Sequence, residues 1–295
     1  MCERKQKFAL FGNIYQARKS ASIEKVLSTL SLFDADVSID REYYRFLHDV
    51  EHLDVSAANI FSGNDFEADF AVSMGGDGTF LKTASRVGSK QIPIVGVNMG
   101  RLGFLADVSP TDIESCLKAL YAGRYSLEER AVIQVESDGK PLADGGCALN
   151  DVAILKRDSA SMISIRVHVD DVYLTTYQAD GLIVSTPTGS TAYSLSNGGP
   201  IILPGTKVLA MTAVAPHSLN VRPIVIPDTS VVSLSVESRS HSFLVAVDGR
   251  SAKCQEGTRI TLRRAPYNVR VVKRSSVPYF TTLREKLMWG ADSRV

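Results

Sequence analysis

The sequence predicts two domains: an α/β domain with a parallel sheet, followed by an all-β domain of the sandwich type. Its 295 residues exceed the length of a typical single domain. In residues 1–130, short apolar runs alternate with segments whose apolar residues recur at helical spacing, which is typical of a parallel sheet flanked by helices. From residue 131 onwards, apolar and polar residues alternate with a period of two, which predicts antiparallel strands.

The first domain, residues 1–130, shows its elements in chain order. Lys7–Phe11 is a short apolar strand, and the apolar residues of Ile23–Leu30 lie on one face of a helix. Phe70–Met74 and Ile92–Val97 are further buried strands. Ser109–Gly123 is expected to be a further helix, with its serine as the N-cap and proline at the first helical position.

The second domain, residues 131–278, consists of alternating runs separated by turn signals such as Asp248-Gly249. The clearest runs are Ile163–Val169, Val232–Val236, Phe243–Val247, Ile260–Leu262 and Val269–Val271. The last segment, residues 279–295, begins with helical spacing over Tyr279–Trp289. We expect a C-terminal tail helix that packs back on one of the domains.

The charges of the chain balance, which narrows the classes of partner. Lys and Arg total 33 and Asp and Glu total 32, so the formal net charge is +1 and nothing indicates a nucleic-acid partner.

Apolar stretches such as Val208–Ala215 are far shorter than the ~20 residues that span a bilayer, so no membrane is expected. The cysteines at positions 2, 116, 147 and 254 form no CxxC pair. A reduced, cytoplasmic protein fits best.

A glycine-rich loop, Gly75–Thr79 (GGDGT), follows a predicted strand and opens a predicted helix. Glycines let a ligand approach the backbone, and a helix N-terminus offers unpaired N–H groups to an anion. The Asp77 carboxylate can accept a hydrogen bond or a proton from a ligand hydroxyl, and Lys82, about one turn into the helix, can reach a phosphate. The alternative is a tight turn with a capping aspartate. Neither GxxxxGK[ST] nor GxGxxG occurs in the chain.

A second motif, Asp180–Pro200, concentrates hydroxyl residues between Ser185 and Ser196. Such hydroxyls can hydrogen-bond to sugars and base edges, and Tyr193 can stack on a base. The alternative is a serine-rich loop between strands. It fits poorly, because β-branched, glycine and aromatic residues mix in one short window, unlike a generic linker.

Together the two motifs closely resemble the NAD kinase family, and the resemblance covers nearly the whole chain. Gly75–Thr79 is similar to the family's GGDGT motif, and Asn98–Leu105 to its NxGxLGFL segment. Asn150-Asp151 is similar to its Asn-Glu/Asp pair, and Thr186–Ser196 to its TPTGSTAYS motif. GGDGT alone is shared with diacylglycerol-kinase-like and phosphofructokinase-like enzymes, whereas the long motif in this order and spacing is highly specific.

The resemblance implies an α/β domain followed by a β-sandwich, and transfer of the γ-phosphoryl group of ATP to the 2′-hydroxyl of the adenosine ribose of NAD, giving NADP. It also implies a divalent metal ion, usually Mg²⁺, and a homodimer or homotetramer. By position, it makes Asp77 the proton acceptor at the 2′-hydroxyl. The positions to which it gives a role in ligand binding are Gly78, Lys82, Asn150, Asp151, Asp180, Thr191, Ala192, Tyr193, Ser194, Leu195, Ser196, Ala215 and Arg250.

Two further positions, Phe104 and Gln178, and the departure from the family pattern at Arg250 bear on the ligand pocket that the resemblance implies. Phe104 is a candidate wall of the pocket lined by Tyr193. Gln178 stands where arginine is frequent in the family, and Arg250 stands where glutamine occurs in some members. Both differences concern contacts to the nicotinamide half. The choice between NAD and NADH therefore stays open, as does that between ATP and polyphosphate as donor.

Several carboxylates would share the implied site, namely Asp77, Asp151, Asp180 and Asp248. They would repel a triphosphate unless Mg²⁺ on the nucleotide supplied positive charge. No protein ligand of the metal is assigned, because carboxylates can equally bind ribose hydroxyls.

Two other functions remain open from the sequence. One is a catalytically silent dinucleotide-binding protein, against which the presence of Asp77 argues. The other is a lipid or sugar kinase that uses GGDGT. The hydroxyl-rich motif and the lack of a basic or amphipathic membrane face argue against a lipid substrate.

Overall fold

The computed structural model describes residues 5–14, 20–100, 103–142, 146–157, 161–273 and 279–288. It divides the chain into two compact units, Met1–Glu128 together with Val269–Val295, and Glu129–Asn268. The first is an α/β unit with a parallel sheet and the second is an antiparallel sandwich, so the predicted fold class is confirmed. None of the helices among the described residues is long and apolar enough to cross a membrane.

The strands are β1 (Lys7–Gly12), β2 (Asp36–Asp40), β3 (Asn59–Phe61), β4 (Phe70–Gly75), β5 (Ile94–Asn98), β6 (Ser126–Arg130), β7 (Ile133–Ser137), β8 (Lys140–Pro141), β9 (Cys147–Ala148), β10 (Asp151–Lys156), β11 (Ile163–Val169), β12 (Val172–Ala179), β13 (Gly181–Ser185), β14 (Val208–Val214), β15 (Ile224–Pro227), β16 (Val232–Glu237), β17 (Ser242–Val247), β18 (Arg250–Gln255), β19 (Ile260–Arg264) and β20 (Val269–Lys273). The α-helices are α1 (Ser20–Leu32), α2 (Arg41–Arg45), α3 (Asp77–Val87), α4 (Ile113–Tyr121), α5 (Tyr193–Ser196) and α6 (Tyr279–Leu287).

The sheet of the first unit has the strand order β3-β2-β1-β4-β5-β20-β6. β1 pairs in parallel with β2 and β4, and β4 pairs in parallel with β5. The carboxyl ends of β1, β4 and β5 therefore share one edge, which carries Gly12, Gly75 and Asn98. Ligands of open α/β sheets bind at such an edge, and the GGDGT loop begins there.

One strand belongs to a different unit from the one that the sequence pattern predicts. The period-two alternation assigns Val269–Val271 to the second domain, but β20 pairs in parallel with β5 in the first sheet, through Val271 and Ile94. Alternation records which side chains are buried, and it carries no information about the partner strand. The chain therefore re-enters the first unit at Val269, ahead of the expected boundary at residue 278.

The predicted helix ends agree with local hydrogen bonding where they are described. Ser109 Oγ accepts a hydrogen bond from the backbone N–H of Asp112 at 3.2 Å, and Pro110 starts a 3₁₀ turn that leads into α4. The predicted tail helix is present as α6, which ends at Leu287. Trp289, which the helical pattern includes, lies outside the described residues.

The second unit packs two antiparallel sheets face to face. One has the order β15-β14-β13-β10-β17-β18, and the other has the order β12-β11-β16-β19-β7-β8, with β9 paired to β7. Alternate apolar residues of both sheets, such as Val152 of β10 and Ile165 of β11, share one core. β13 is buried along its whole length, and Ile183 on its other face packs in a second apolar cluster. This strand provides a rigid support for the residues that follow it.

An alanine at Gly12 is expected to destabilise the first unit. A methyl group there would lie 2.0 Å from the ring of Tyr43, which is only 2% exposed and has no open space to move into. Overpacking of this kind costs about 1–3 kcal/mol. Thermal unfolding followed by circular dichroism should show a lower midpoint for Gly12→Ala. Gly100→Ala is the control, because no atom lies within 4 Å of its added methyl group. An unchanged midpoint for Gly12→Ala would contradict the predicted contact.

Candidate functional site

The GGDGT loop joins the buried strand β4 directly to α3. Gly75 ends the strand, Gly76 is the extended N-cap residue, and the helix begins at Asp77. A methyl group on Gly75 would lie 2.2 Å from Thr79 Oγ1, so glycine is needed for the chain to turn this tightly. The turn places the Asp77 carboxylate at the carboxyl edge of the sheet.

Four donors surround the Asp77 carboxylate. The backbone N–H of Phe104 donates to Oδ2 at 3.0 Å, and those of Leu105 and Ala106 donate to Oδ1 at 3.1 and 3.3 Å. The ammonium group of Lys286, on α6, donates to Oδ2 at 3.0 Å. The carboxylate is thus held by a backbone segment on one side and by the C-terminal helix on the other.

These contacts keep Asp77 ionised. Burial raises the pKa of the Asp77 carboxyl, but the Lys286 charge and the N–H groups of Phe104 and Leu105 outweigh it, so the pKa lies below its usual range. The close approach depends on Gly103, because a methyl group there would lie 2.1 Å from Asp77 Oδ1. Asp77 is therefore an oriented anion at neutral pH, able to accept a hydrogen bond from a ligand hydroxyl.

A cleft of about 400 Å³ lies beside the same loop. It is lined by Gly12, Asn13, Ile14, Gly76, Gly78, Thr79 and Lys82. Lys82 pairs with Glu42 at 3.1 Å, and both side chains are exposed, so the pair is weak and an incoming anion can compete for the ammonium group. A helix N-terminus, glycines and a lysine are the components of a phosphate site.

In the second unit, Asp248 organises the pair Asn150-Asp151. Its carboxylate accepts hydrogen bonds from the backbone N–H of Leu149 and Asn150 at 2.8 Å each, and from that of Asp151 at 3.2 Å. Asp248 has a φ of 47° and Gly249 has a φ of 80°, which is the geometry of a two-residue hairpin turn between β17 and β18. The hairpin thereby fixes the start of β10.

The two carboxyls of this region affect each other. Asp151 is 7% exposed, and burial together with the neighbouring Asp248 raises its pKa to about 7. Burial also raises the pKa of Asp248, although its three N–H donors oppose the shift. Near neutral pH, Asp151 is available both as a protonated donor and as an acceptor, which suits contact with a sugar hydroxyl.

Part of the hydroxyl-rich segment Thr186–Ser196 is used to hold its own loop. Thr186 and Ser190 donate to backbone carbonyls at 2.6 and 2.7 Å, and Ser194 Oγ lies 3.0 Å from Thr212 Oγ1. These hydroxyls are buried. The expectation that the hydroxyls of this motif bind a ligand therefore needs correction for these three, because a buried loop must satisfy its own polar groups.

The remaining members of the motif are accessible. Tyr193 is 41% exposed and Ser196 is exposed, both on the short helix α5. Thr191, Ala192 and Leu195 are half-buried. The segment therefore presents an aromatic ring and a few small groups above a rigid, self-bonded loop.

The second unit separates its candidate residues into two groups along β13. Asp151 pairs with Ser185 at the carboxyl end of that strand, so the first group contains Asn150, Asp151, Asp248 and the Thr186–Ser196 segment. The second group lies at the other end of β13. It consists of Asp180, which forms an ion pair with Lys156 at 2.7 Å, Gln178, which bonds Ser164 at 2.7 Å, and the exposed Ala215 with a φ of 44°. Five strand residues span roughly 17 Å, so the two groups cannot contact the same small chemical group.

Arg250 begins β18, directly after the Asp248-Gly249 turn, and its guanidinium reaches the carbonyl of Cys147 at 3.4 Å. It belongs with the first group, whereas Gln178 belongs with the second, so within one copy of the chain these two positions cannot both contact the nicotinamide half, as the sequence led us to expect. Within the residues that the structure describes, no three His, Cys, Asp or Glu side chains come together as metal ligands.

The sequence does not indicate two of the contacts that hold the site: that of Lys286 with Asp77, and those of Asp248, already named as a carboxylate of the implied site, with the backbone of Asn150-Asp151. Lys286 contacts Asp77 across 209 positions of the chain, and nothing in the helical pattern of α6 indicates a partner. Asp248-Gly249 reads as a turn signal, and its role in holding Asn150-Asp151 follows only from the pairing of β10 with β17.

Comparisons with known proteins agree over both units. The family model of the ATP-NAD kinase N-terminal domain matches residues 41–125, and that of the ATP-NAD kinase C-terminal domain matches residues 149–274. The NAD kinase of Bacteroides fragilis is 58% identical over 289 residues, covering 98% of this chain and 100% of that protein. The NAD kinase of Porphyromonas gingivalis is 41% identical with the same coverage.

Two solved structures are similar across almost the whole chain. The crystal structure of an NAD kinase from Archaeoglobus fulgidus in complex with ATP has a TM-score of 0.73 and 25% identity, covering 96% of this chain and 98% of that chain. The crystal structure of yeast NADH kinase complexed with NADH has a TM-score of 0.89 and 21% identity, covering 100% of this chain and 90% of that chain. The second likeness is evidence of the fold alone.

The raised pKa of Asp151 predicts a pH-dependent contribution to stability. In the unfolded chain an aspartate releases its proton near pH 3.9, whereas in the folded chain Asp151 keeps it until about pH 7. The folded state therefore binds more protons at Asp151 between these values, and the contribution of Asp151 to the stability of the wild type falls as pH rises through them. Asp151→Asn removes this titration.

The measurement is the free energy of urea unfolding of wild type minus that of Asp151→Asn, at pH values from 4 to 7.5. We expect this difference to decrease by a few kcal/mol. Asp171→Asn is the matched control in the same unit, since Asp171 is exposed and its φ of 62° also suits asparagine. A difference in unfolding free energy that stays constant from pH 4 to 7.5 would contradict the raised pKa of Asp151.

Proposed function

This chain belongs to the NAD kinase family, and we propose that Asp77 is the residue at which its phosphoryl transfer takes place. As an NAD kinase, the protein transfers the γ-phosphoryl group of ATP to the 2′-hydroxyl of the adenosine ribose of NAD and forms NADP and ADP. The observation that carries the assignment is the oriented, ionised Asp77 carboxylate at the N-terminus of α3.

The chemistry of Asp77 follows from its surroundings. The 2′-oxygen attacks the γ-phosphorus, the bond from that phosphorus to the β,γ-bridging oxygen breaks, and the hydroxyl proton passes to Asp77. A carboxylate with a lowered pKa is a weak base, so its main work is to orient the hydroxyl. This suffices because in a loose transition state the nucleophile loses its proton late. General-base assistance of this kind is typically worth ~10²–10⁴ in rate.

The cleft beside Asp77 is the proposed site of the triphosphate. The N–H groups at the start of α3 and the backbone of Gly76 and Gly78 can approach phosphate oxygens closely, because no side chain intervenes. Lys82 lines the same cleft and can exchange its exposed partner Glu42 for a phosphate.

The second unit is proposed to bind the dinucleotide. Asn150 and Asp151 offer an amide and a carboxyl to the adenosine ribose, and Tyr193 offers a ring for stacking. The other proposed contacts at this end of β13 are Thr191, Ala192, Leu195, Ser196 and Arg250. Ser194 holds this segment in place through its hydrogen bond with Thr212. Asp180 and Ala215, at the opposite end of β13, are proposed to meet the nicotinamide half of a dinucleotide.

A divalent ion fits this chain as a companion of the nucleotide. Phosphoryl transfer from ATP needs such an ion, and we propose Mg²⁺, which neutralises phosphate oxygens when bound. The oxygens of Asp77 face N–H donors, and the described residues offer no three-ligand cluster, so the donor set does not form a protein cage. Mg²⁺ is commonly held mainly by substrate phosphates, and we assign it no ligand in this chain.

We further propose a homodimer or homotetramer located in the cytoplasm. The separation of the two groups along β13 supports a homo-oligomer, because a second copy can bring its Asp180 to a dinucleotide that a single copy holds at the other end. Size-exclusion chromatography with light scattering measures the oligomeric state directly, and a monomer at micromolar concentration would contradict this proposal.

Asp77→Asn is expected to lower kcat by about 10²–10⁴ while the affinity for NAD changes little. Asparagine keeps the shape of the side chain but cannot accept the proton, and all the proposed dinucleotide contacts except that of the 2′-hydroxyl lie in the second unit. Turnover is measured with ATP, Mg²⁺ and NAD, coupled to an NADP-specific dehydrogenase, and NAD affinity is measured by calorimetry. Asp171→Asn serves as the control for both.

Each outcome of this assay has a clear meaning. NADP formation by the wild type and its loss in Asp77→Asn support the proposal. Near-wild-type turnover by Asp77→Asn would remove Asp77 from the mechanism. Tight NAD binding by a wild type that forms no NADP would instead favour a catalytically silent dinucleotide-binding protein.

A further inference from the structure

Lys286 lies in the last turn of α6, at the opposite end of the sequence from the GGDGT loop, yet its ammonium group touches the proposed reaction centre. Its Nζ lies 3.0 Å from Asp77 Oδ2 and 4.3 Å from the centroid of the Phe104 ring. The helix is anchored by the buried Thr282 and Leu283, one turn before the lysine. Lys286 is thus held in contact with a carboxylate and an aromatic face together.

The hydrogen bonds of Asp77 leave no acceptor site unused. A carboxylate offers about four lone-pair sites, and three backbone N–H groups and one ammonium group fill them. A ligand hydroxyl that is to be oriented by Asp77 must therefore take the place of one donor. The three N–H groups are fixed by the chain, whereas the ammonium of Lys286 can move by side-chain rotation alone.

Other charged groups near Asp77 are engaged elsewhere. On α3 itself, Lys82 pairs with Glu42 and Arg86 with Asp40, at 3.1 and 3.0 Å. After the 103–106 segment, Asp107 pairs with Lys273 at 2.7 Å. On α6, Arg284 and Glu285 are exposed. Within the described part of the chain, Lys286 is accordingly the cation that contacts the Asp77 carboxylate.

We propose that Lys286 is a positioning residue for phosphoryl transfer: its ammonium group holds the Asp77 carboxylate in place and gives up its position at Oδ2 to the acceptor hydroxyl when NAD binds. The face of the Phe104 ring keeps the displaced charge close, because a cation is attracted to an aromatic face within about 6 Å of its centroid. The inference rests on the proposed role of Asp77.

The role predicts a change in the pH profile that a merely structural lysine would not cause. Without the ammonium group, burial of Asp77 is opposed only by its N–H donors, so its pKa rises. The ionised form is then lost at a higher pH as the solution is acidified. For Lys286→Met, we expect kcat at pH 7 to fall by ~10–100-fold and the acidic limb of the pH profile of kcat/KM for NAD, which reports groups of the enzyme before NAD binds, to move to higher pH. Lys286→Arg should return the limb towards its original position.

Arg284→Met is the matched control, because it removes a positive charge from an exposed position on the same helix. Its kcat, pH profile and thermal midpoint should equal those of the wild type. All variants are assayed as full-length protein with saturating ATP and Mg²⁺ and with NAD varied. A wild-type pH profile for Lys286→Met would overturn the inference. A raised KM for ATP with an unmoved acidic limb would also overturn it, because the lysine would then act on the nucleotide.

A double mutant separates this inference from the proposed function. If Lys286 acts through Asp77, adding Lys286→Met to Asp77→Asn should cause no further loss of turnover. An additional tenfold loss would show an independent role and overturn the inference, while leaving the assignment of Asp77 intact. Near-wild-type turnover by Asp77→Asn would instead remove the proposed role of Asp77.

A measurement on the wild type keeps the test independent of the folding of Lys286→Met. In protein labelled with ¹⁵N-lysine, the Nζ signal of Lys286 is identified by its absence in Lys286→Arg. Addition of NAD without ATP should shift this signal, because the ammonium leaves Oδ2. A signal that does not move on saturation with NAD would overturn the displacement.

Discussion

A buried carboxylate such as that of Asp77 is stable only when hydrogen-bond donors surround it, and the structure of this site depends on that requirement. Two stretches of chain that lie far from Asp77 in the sequence supply these donors, namely the segment following Gly103 and the last turn of α6. The contact with Lys286 alone bridges 209 sequence positions. These contacts offset the free-energy cost of burying the Asp77 carboxylate, and they also fix its orientation. The same hydrogen bonds therefore stabilise the first unit and orient the candidate base.

The pKa of the Asp77 carboxyl in the first unit and that of the Asp151 carboxyl in the second unit are shifted in opposite directions. Asp77 is held by an ammonium group and N–H donors, and its pKa is lowered. Asp151 lies beside another carboxyl in a buried environment, and its pKa is raised to about 7. One group is thereby kept as an anion, and the other is kept ready to carry a proton near neutral pH. A chain with a net charge of +1 achieves both through local surroundings, so its overall charge says little about its sites.

The period and motifs of the sequence were enough for the fold class, because burial of alternate residues and the strand-loop-helix pattern around Gly75–Thr79 are local properties. They were misleading for β20, since a strand of valines looks the same beside any partner. The hydroxyl motif was recognised, but which hydroxyls serve the loop itself depends on contacts such as that of Ser194 with Thr212. Lys286 could not be foreseen at all, because its partner is set by tertiary packing rather than by spacing.

The position of β20 in the sheet order has a consequence for how the protein is made. β20 lies between β5 and β6, so the first sheet contains a gap until residues 269–273 have left the ribosome. The second unit is continuous in sequence and can close around its own core earlier. During synthesis, the part of the first unit that precedes residue 129 remains an open sheet, in which the edge along β5 has no partner strand. The chain is thereby exposed to misassembly for longer than its local, helix-rich N-terminal half would suggest.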